Sequence, residues 1–599
     1  MATTNVQTKL KISINDKELQ AHPGDTILQV AEKNEIHIPT LCHHSDLCLS
    51  GVCRVCVCEV HGERLLQTAC STPVRDGMKV YTNTTKVRKA RKMIIELLVS
   101  RHFGECTTCK RNMNCELQAL AEEYGLEEVR FDKPAERRYE VEDQNPVVRD
   151  NDKCILCRRC VNVCDEIQGV EAIKPMFRGS ESEIACMYNL DLGEVTCVMC
   201  GQCINRCPTG ALTEKDATKE VWKAIEDPTK HVIVQTAPAI RATVAELFDI
   251  APGSRITGKL VTALRKIGFD SVLDTDFTAD LTIMEEGTEL LTRLKKVLVD
   301  GDKETKIPMF TSCSPGWIKF CEHYYPDLLG NLSTCKSPQQ MFGALAKTYY
   351  AEQMKLDPAN IVTVSVMPCT AKKFEADRPE MNDSGYKDVD YVLTNRELGR
   401  MIKQAGVNIM ELDETDYDSL MARGTGAAVI FGATGGVMEA ALRTAYEIIT
   451  GREVPFENLN ITAVRGLDGV KEAAIKLEGL VDAWKFLEGA TLKIAIANGL
   501  NNARKLMDKV RAGEADYHFI EIMACPGGCL GGGGQPIPTS QAIREKRAGA
   551  IYDEDMALRV RKSHENEDVK KIYEVYLGEP LGHKSHKLLH THYTERGRY

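Results

Sequence analysis

The sequence predicts a multidomain protein, α+β over roughly its first third and α/β beyond it. Three observations carry this. The chain has 599 residues, which at ~150 residues per domain makes about four domains. Its 24 cysteines are unevenly placed, eighteen before residue 208 and six after. In the last two thirds, apolar runs of strand type alternate with amphipathic helical stretches.

Taken in order, Leu10, Ile12 and Ile14 alternate, and DTILQVAEKN after His22-Pro23-Gly24 reads as a short helix. Strand, turn, strand and helix therefore precede the first cysteines, as in a small β-rich module. From Val87, the residues Ala90, Ile94, Leu97 and Leu98 form a helical stripe reaching His102. The basic run Lys86 to Lys92 reads as a solvated helix face. Four later apolar runs end at special residues: HVIVQTAP, IVTVSVMPC, AAVIFGATGG and HFIEIMACPGG. Open α/β sheets place ligands beyond the carboxyl ends of their strands, so these four ends are expected to face one cleft.

Lys+Arg 76 against Asp+Glu 86 leaves a net charge of −10, which disfavours nucleic acid and anionic membrane as partners. No apolar run approaches the ~20 residues of a membrane span, and MATTNVQTKLKI lacks a leader pattern, so the cytoplasm is the expected compartment. A reducing compartment rarely keeps structural disulfides. Repeated Cys-x2-Cys spacings there read as metal ligation.

Cys154-x2-Cys157-x2-Cys160-x3-Cys164 and Cys197-x2-Cys200-x2-Cys203-x3-Cys207-Pro208 match the two-cluster ferredoxin run, in which the fourth cysteine of each run ligates the other cluster. Cys42-x10-Cys53-x2-Cys56-x13-Cys70 is similar to a plant-type 2Fe-2S site. Cys48 and Cys58 are spare and expected as small buried side chains. His102-x3-Cys106-x2-Cys109-x5-Cys115 reads as a 4Fe-4S site with one imidazole ligand. One 2Fe-2S and three 4Fe-4S clusters make an electron wire, whose two-electron terminus is expected in the rest of the chain.

Three later motifs point to that terminus: Thr311-Ser312-Cys313-Ser314-Pro315-Gly316-Trp317, Met367-Pro368-Cys369-x2-Lys372-x2-Glu375, and Glu521-x-Met523-Ala524-Cys525-x-Gly527-Gly528-Cys529-x2-Gly532-Gly533-Gly534-Gln535-Pro536. Together they resemble the three signatures of the iron-only (FeFe) hydrogenases, and with the upstream motifs the resemblance covers nearly the whole chain. It implies a β-grasp 2Fe-2S domain at 1–83, a small 4Fe-4S domain with one histidine and three cysteine ligands at 84–143, a two-cluster ferredoxin-like domain at 144–218, and a two-lobed α/β hydrogenase domain at 219–599 with a wrapping segment from about 548. The implied activity is reversible oxidation of dihydrogen to two protons and two electrons, in an anaerobic cytoplasmic enzyme. Its centre would be the H-cluster, a 4Fe-4S cubane joined by a cysteine thiolate to a di-iron unit bearing CO, cyanide and a bridging dithiolate.

Carried over by position, Cys369, Cys525 and Cys529 become cubane ligands, with Cys529 the bridge. Lys372 becomes a donor to a cyanide, Met367 and Met523 soft packing about the iron pair, and Gly435 and Gly436 part of a strand-end turn, Gly432 to Gly436, offering backbone N–H groups. IMEEGTELLTR resembles the family's relay segment, putting Glu286, Glu289 and Arg293 in line with Ser333 and Cys313; the i, i+3 spacing sets both glutamates on one helix face. The chain departs from the family pattern at Ser314, where a second cysteine normally ligates the cubane. Either Cys313 takes that place or another thiol reaches in; Cys335, in LSTCKSPQQ, is the expected substitute, with Cys313 left as proton carrier. Cys321 is expected as plain helix core. The single-cysteine TSCSPGW is similar to catalytic subunits of NAD(P)-linked, electron-bifurcating hydrogenases. No dinucleotide or flavin fingerprint is visible, so flavin- and NAD(P)-binding partner subunits are implied, with ferredoxin a further partner. The alternatives are a standalone ferredoxin-coupled hydrogenase and a non-catalytic hydrogen sensor.

Overall fold

The computed structural model describes residues 9–132 and 136–597; residues 1–8, read above for the absence of a leader, lie outside the described residues. The first module is a five-stranded sheet. Its strand Leu10–Ile14 pairs antiparallel with Lys17–Ala21 and parallel with Lys79–Tyr81. The helix Ile27–Lys33 starts at a capping box: Thr26 Oγ1 accepts from Gln29 N–H at 3.2 Å and Gln29 Oε1 from Thr26 N–H at 2.8 Å. Its Ile27, Leu28, Val30 and Ala31 pack under the sheet with Ile12 and Ile14.

The helix Thr85–Arg101 forms as expected but buries a different face. Val87, Arg91 and Ile95 point inward, whereas Leu97 is exposed. Arg91 lies inside the basic run read as solvated, yet its guanidinium donates to Val57 O at 2.8 and 3.1 Å and to Tyr124 OH at 3.1 Å. Its long stem lets an apolar face carry a buried donor, which hydropathy spacing does not register.

In the next module, Val147–Arg149 pairs antiparallel with Leu212–Glu214 and closes both cysteine runs into one unit. The two runs turn alike: Leu156 and Arg158 in one, Met199 and Gly201 in the other, have φ between 56° and 68°. Three of these are non-glycine residues in left-handed backbone, a conformation that needs compensation from its surroundings.

Beyond residue 230 two four-stranded sheets form. One is wholly parallel, in the order Ser271–Asp274, His231–Thr236, Ile361–Met367, Tyr391–Thr394. The other runs Met309–Phe310, Phe519–Met523, Thr491–Asn498, with Val470–Lys476 antiparallel at the edge. Between them lies the helix Asp276–Leu298, which sends Phe277 and Leu281 into one core and Ala279, Ile283, Leu290 and Leu294 into another. Three of the four expected strands are present. The fourth, AAVIFG, is helical, Gly426–Val429 continuing into Ile430–Gly432. A short run buried on every side has no periodicity to separate helix from strand; here Gly424 and Gly426 let it close on Asp276 and Asp555, where a Cβ would come within 2.2 and 2.1 Å. Among the described residues no helix is long and apolar enough to cross a membrane.

Candidate active site

Most of the motif cysteines gather into thiol sets, and the two ferredoxin-like runs exchange one cysteine each. Cys56 Sγ lies 3.4 Å from Cys70 Sγ, and Cys42 lies beside Cys53 and Cys70. Cys58 is buried in its strand with Sγ 3.4 Å from Gln67 O. Cys48, expected to be buried, is exposed, because its loop lies on Asn162 and Glu166 and makes polar contacts with both. His102 Nδ1 is 3.0 Å from Lys153 O, the bond that orients a ligating imidazole through its other nitrogen. Cys109 and Cys115 face each other, while Cys106 sits at the surface. Cys154, Cys157 and Cys160 share one cavity with Cys207 of the second run; Cys164 in turn joins Cys197 and Cys203. Burial first, and neighbouring sulfurs second, push the Cys157, Cys160 and Cys203 thiols up, the condition a bound metal relieves by taking the thiolate.

A cavity opens where the two four-stranded sheets meet. Its walls are the carboxyl ends of three strands, at Ala237-Pro238, Met367-Pro368-Cys369 and Met523-Ala524-Cys525, and the helix end Phe431-Gly432. Cys313, Ser314, Lys372, Cys529 and Cys200 complete it. Close backbone approach makes this convergence possible: a Cβ on Gly532 would stand 2.2 Å from Pro368 O, and one on Gly533 2.2 Å from Cys200 O. Among the described residues Lys372 is the one charged side chain on the wall. Its Nζ is held 3.1 Å from Cys313 O and 2.9 Å from Glu375 Oε2. Cys525 feels Cys369 and Cys529 as its nearest like groups. Three converging thiols, two thioethers and one fixed cation in an otherwise apolar chamber fit an iron-sulfur centre with anionic diatomic ligands.

Two expected residues are elsewhere. Gly435 and Gly436 do not line the cavity; Gly435 N–H donates to Glu521 Oε1 at 2.6 Å and Gly436 N–H to Ala433 O at 3.1 Å. Gly432 supplies the backbone wall instead, at the end of a helix rather than of a strand. Glu521, which the sequence reading left without a role, clamps this turn through Gly435 and Met438 N–H and is pushed up to about 7, chiefly by burial. Its place, two residues before Met523 on a fully buried strand, was the available signal.

Cys335 is the second correction. It lies outside the cavity, fully buried among Phe277, Leu281 and Leu345, with Sγ 3.7 Å from Glu289 Oε2. The carboxyl-terminal segment holds it there through a backbone bridge to His590 and Lys336 N–H donating to Leu589 O at 2.8 Å. Cys321 is helix core. The residues expected to form a relay do converge. Burial, then the charge of Glu286, raises the Cys313 thiol; Glu286 is 2% exposed and pushed up to about 8 by burial and then by Glu289. Ser333 Oγ donates to Glu289 Oε2 at 2.9 Å, and Arg293 grips Glu289 at 2.6 Å.

Residues 230–533 match the family described as iron only hydrogenase large subunit, C-terminal domain. The chain belongs to the iron-only hydrogenase family. This hydrogenase also matches the iron hydrogenase small subunit over 541–596, a 2Fe-2S iron-sulfur cluster binding domain over 7–85, the NADH-ubiquinone oxidoreductase-G iron-sulfur binding region over 91–130, and the NADH-quinone oxidoreductase subunit 3 ferredoxin-like domain over 145–213. It is 47% identical to the NADP-reducing hydrogenase subunit HndD of Solidesulfovibrio fructosivorans, over 98% of this chain and 99% of that one. To iron hydrogenase 1 of Clostridium pasteurianum it is 41% identical, over 97% and 99%. An apo [FeFe]-hydrogenase HydA1 structure from Chlamydomonas reinhardtii superposes with a TM-score of 0.57 at 47% identity, covering 64% of this chain and 100% of that one.

Proposed function

We propose that this iron-only hydrogenase reversibly oxidises dihydrogen to two protons and two electrons as the catalytic subunit of an NAD(P)-linked, electron-bifurcating complex with flavin- and NAD(P)-binding partners. The observation that carries it is the two-sided cavity: Cys200 of the ferredoxin-like module on one wall, Cys313 backed by Glu286 on another. Electrons and protons thus have separate ways out. Near-full-length likeness to an NADP-reducing hydrogenase subunit supports the NAD(P) link.

Cys369, Cys525 and Cys529 would hold the H-cluster, with Met367 and Met523 packed about it. When bound, that group supplies the site where dihydrogen is cleaved heterolytically and its electrons are taken up. Cys313 Sγ receives the proton and passes it to the Glu286 carboxyl. Ser333 Oγ connects onward to Glu289, and Arg293 holds that acid at the exit by ion pairing and by donating to Leu332 O at 2.8 Å. Lys372, fixed by Glu375 and Cys313 O, presents a permanent donor to an anionic ligand. The upstream modules at 1–83, 84–143 and 144–218 would hold one 2Fe-2S and three 4Fe-4S clusters. Anaerobic purification from the native host tests the reading: infrared bands of iron-bound CO and cyanide, with hydrogen-driven NAD(P) reduction by a multisubunit complex, are expected. A lone chain reducing only ferredoxin would instead establish the standalone hydrogenase, and absence of those bands would exclude hydrogenase chemistry.

A further inference from the structure

The loop between Cys42 and Cys53 sends Asp46 into the seam between three modules. Its Oδ2 accepts from Arg206 Nη2 at 3.0 Å and from Arg544 Nη1 at 2.8 Å. Both arginines are buried, Arg206 at 1% exposure, and the Asp46 side chain is only 9% exposed. One carboxylate therefore answers two guanidinium groups. Arg206 precedes Cys207, and its Nη1 donates to Gln202 Oε1 at 2.6 Å; Gln202 Nε2 donates to Gly531 O at 2.8 Å. Arg544 lays its stem on the same loop, with Cδ 3.0 Å from where a Cβ on Gly531 would stand. Arg544 thus borders the Cys525–Cys529 loop itself, its Cδ 3.2 Å from where a Cβ on Gly527 would stand, and Arg206 reaches the residues just after it through Gln202. Burial pushes the Cys525 thiol up, while Gln202, by hydrogen bond, and Arg206, by charge, favour its thiolate. The neighbouring Arg159 has its own counter-ion, Glu116, at 2.7 Å.

We propose that Asp46 is an electrostatic positioning residue for the active centre: from the 2Fe-2S module it offsets Arg206 and Arg544, and so sets the charge felt by the cubane that Cys525 holds. This rests on Cys525 being a cubane ligand, as proposed above. Reduction adds negative charge to a cluster, so uncompensated cations nearby stabilise the reduced state and raise the potential. Inside the protein, solvent and salt screen this little. Asp46→Asn keeps the side chain's size and one accepting oxygen but leaves two cations against none.

The test is a redox titration of the H-cluster in the assembled holoenzyme, followed by infrared and EPR signals, for wild type, Asp46→Asn, Arg206→Gln and the double variant. Asp46→Asn is expected to move the cubane couple positive and Arg206→Gln negative, with the double variant between them. Loss of packing alone has no reason to give opposite signs. If both single variants shift the same way, or neither shifts, the proposal is overturned. Should Asp46→Asn fail to assemble, Arg544→Gln serves in its place, with a negative shift expected and no shift overturning the proposal. A Cys525→Ala chain that keeps its cubane would refute the ligand assignment, a failure separate from that of Asp46.

Discussion

Cys335 carries its sulfur 3.7 Å from Glu289 Oε2, beside an acid of the proposed proton relay and outside the cavity lined by Cys369, Cys525 and Cys529. Two hydrogen bonds reinforce the placement: Ser312 Oγ donates to Cys335 O at 2.7 Å, and Cys335 N–H donates to Ser333 Oγ at 3.2 Å. Cys335→Ala is therefore expected to keep full iron content and unchanged CO and cyanide infrared bands. A small buried group is lost, so stability should fall by about 1 kcal/mol. Loss of the six-iron centre in that variant would restore Cys335 as a ligand.

Spacing made the thiol sets legible because cluster ligation constrains local chain length: three cysteines at x2 intervals can only curl around one site, and the left-handed residues at 156, 158, 199 and 201 are that curl. The parallel strands were legible as continuous apolar runs ending at Pro238 and Pro368. What failed was of another kind. AAVIFG is a helix because tertiary packing overrides an ambiguous run, and Cys335 lies away from the cavity because its position depends on the segment around His590, over 250 residues away. The N–H groups that Gly435 and Gly436 are expected to offer are taken by Glu521 and Ala433 O.

Gly532 gives a test of how the cavity is built. A methyl there would meet Pro368 O at 2.2 Å, a contact that backbone on both sides cannot yield. Gly532→Ala should separate the Cys529 loop from Cys369 and abolish loading of the H-cluster. The accessory clusters, held by upstream cysteines, should survive in the EPR spectrum. Normal infrared bands in this variant would mean that the loops tolerate wider spacing than the structure has.

In the proposed relay Glu286 is expected to set the pH response. Burial first and the charge of Glu289 second push it up to about 8. Only the ionised carboxylate can accept a proton from Cys313, so hydrogen oxidation should rise through about pH 8 as hydrogen evolution falls. Glu286→Gln should cost about two to four orders of magnitude in turnover both ways. The stability sign follows from linkage: the folded state binds this proton more tightly than the unfolded chain, whose value is 4.5. The stabilisation is whole below that value and lost as pH rises to about 8, so Glu286→Gln should melt higher than wild type above it. Melting curves at roughly pH 6 and pH 9 check this, and an unchanged difference between them would remove Glu286 as the titrating group.

With Cys335 beside Glu289 and outside the cavity, the fourth corner of the proposed cubane is left to Cys313 or Ser314, and the geometry separates them. Cys313 has Glu286 as its foremost charged neighbour, which suits a proton carrier. Ser314 starts the helix Pro315–Tyr324 without spending its hydroxyl on capping. Its Oγ instead accepts from Ala524 N–H at 3.2 Å, on the cavity wall beside Cys525. An alkoxide is a weaker ligand than a thiolate, but it is already delivered to the right wall, and iron lowers the pKa of an oxygen it binds. Cys313→Ala should therefore assemble a complete H-cluster and lose turnover by orders of magnitude, whereas Ser314→Ala should assemble poorly and lose iron on dilution. Ser314→Cys should load fully, restoring the thiolate that the family pattern has there. If Cys313→Ala cannot build the cubane while Ser314→Ala loads normally, Cys313 is the ligand, and the proton must reach Glu286 by another group.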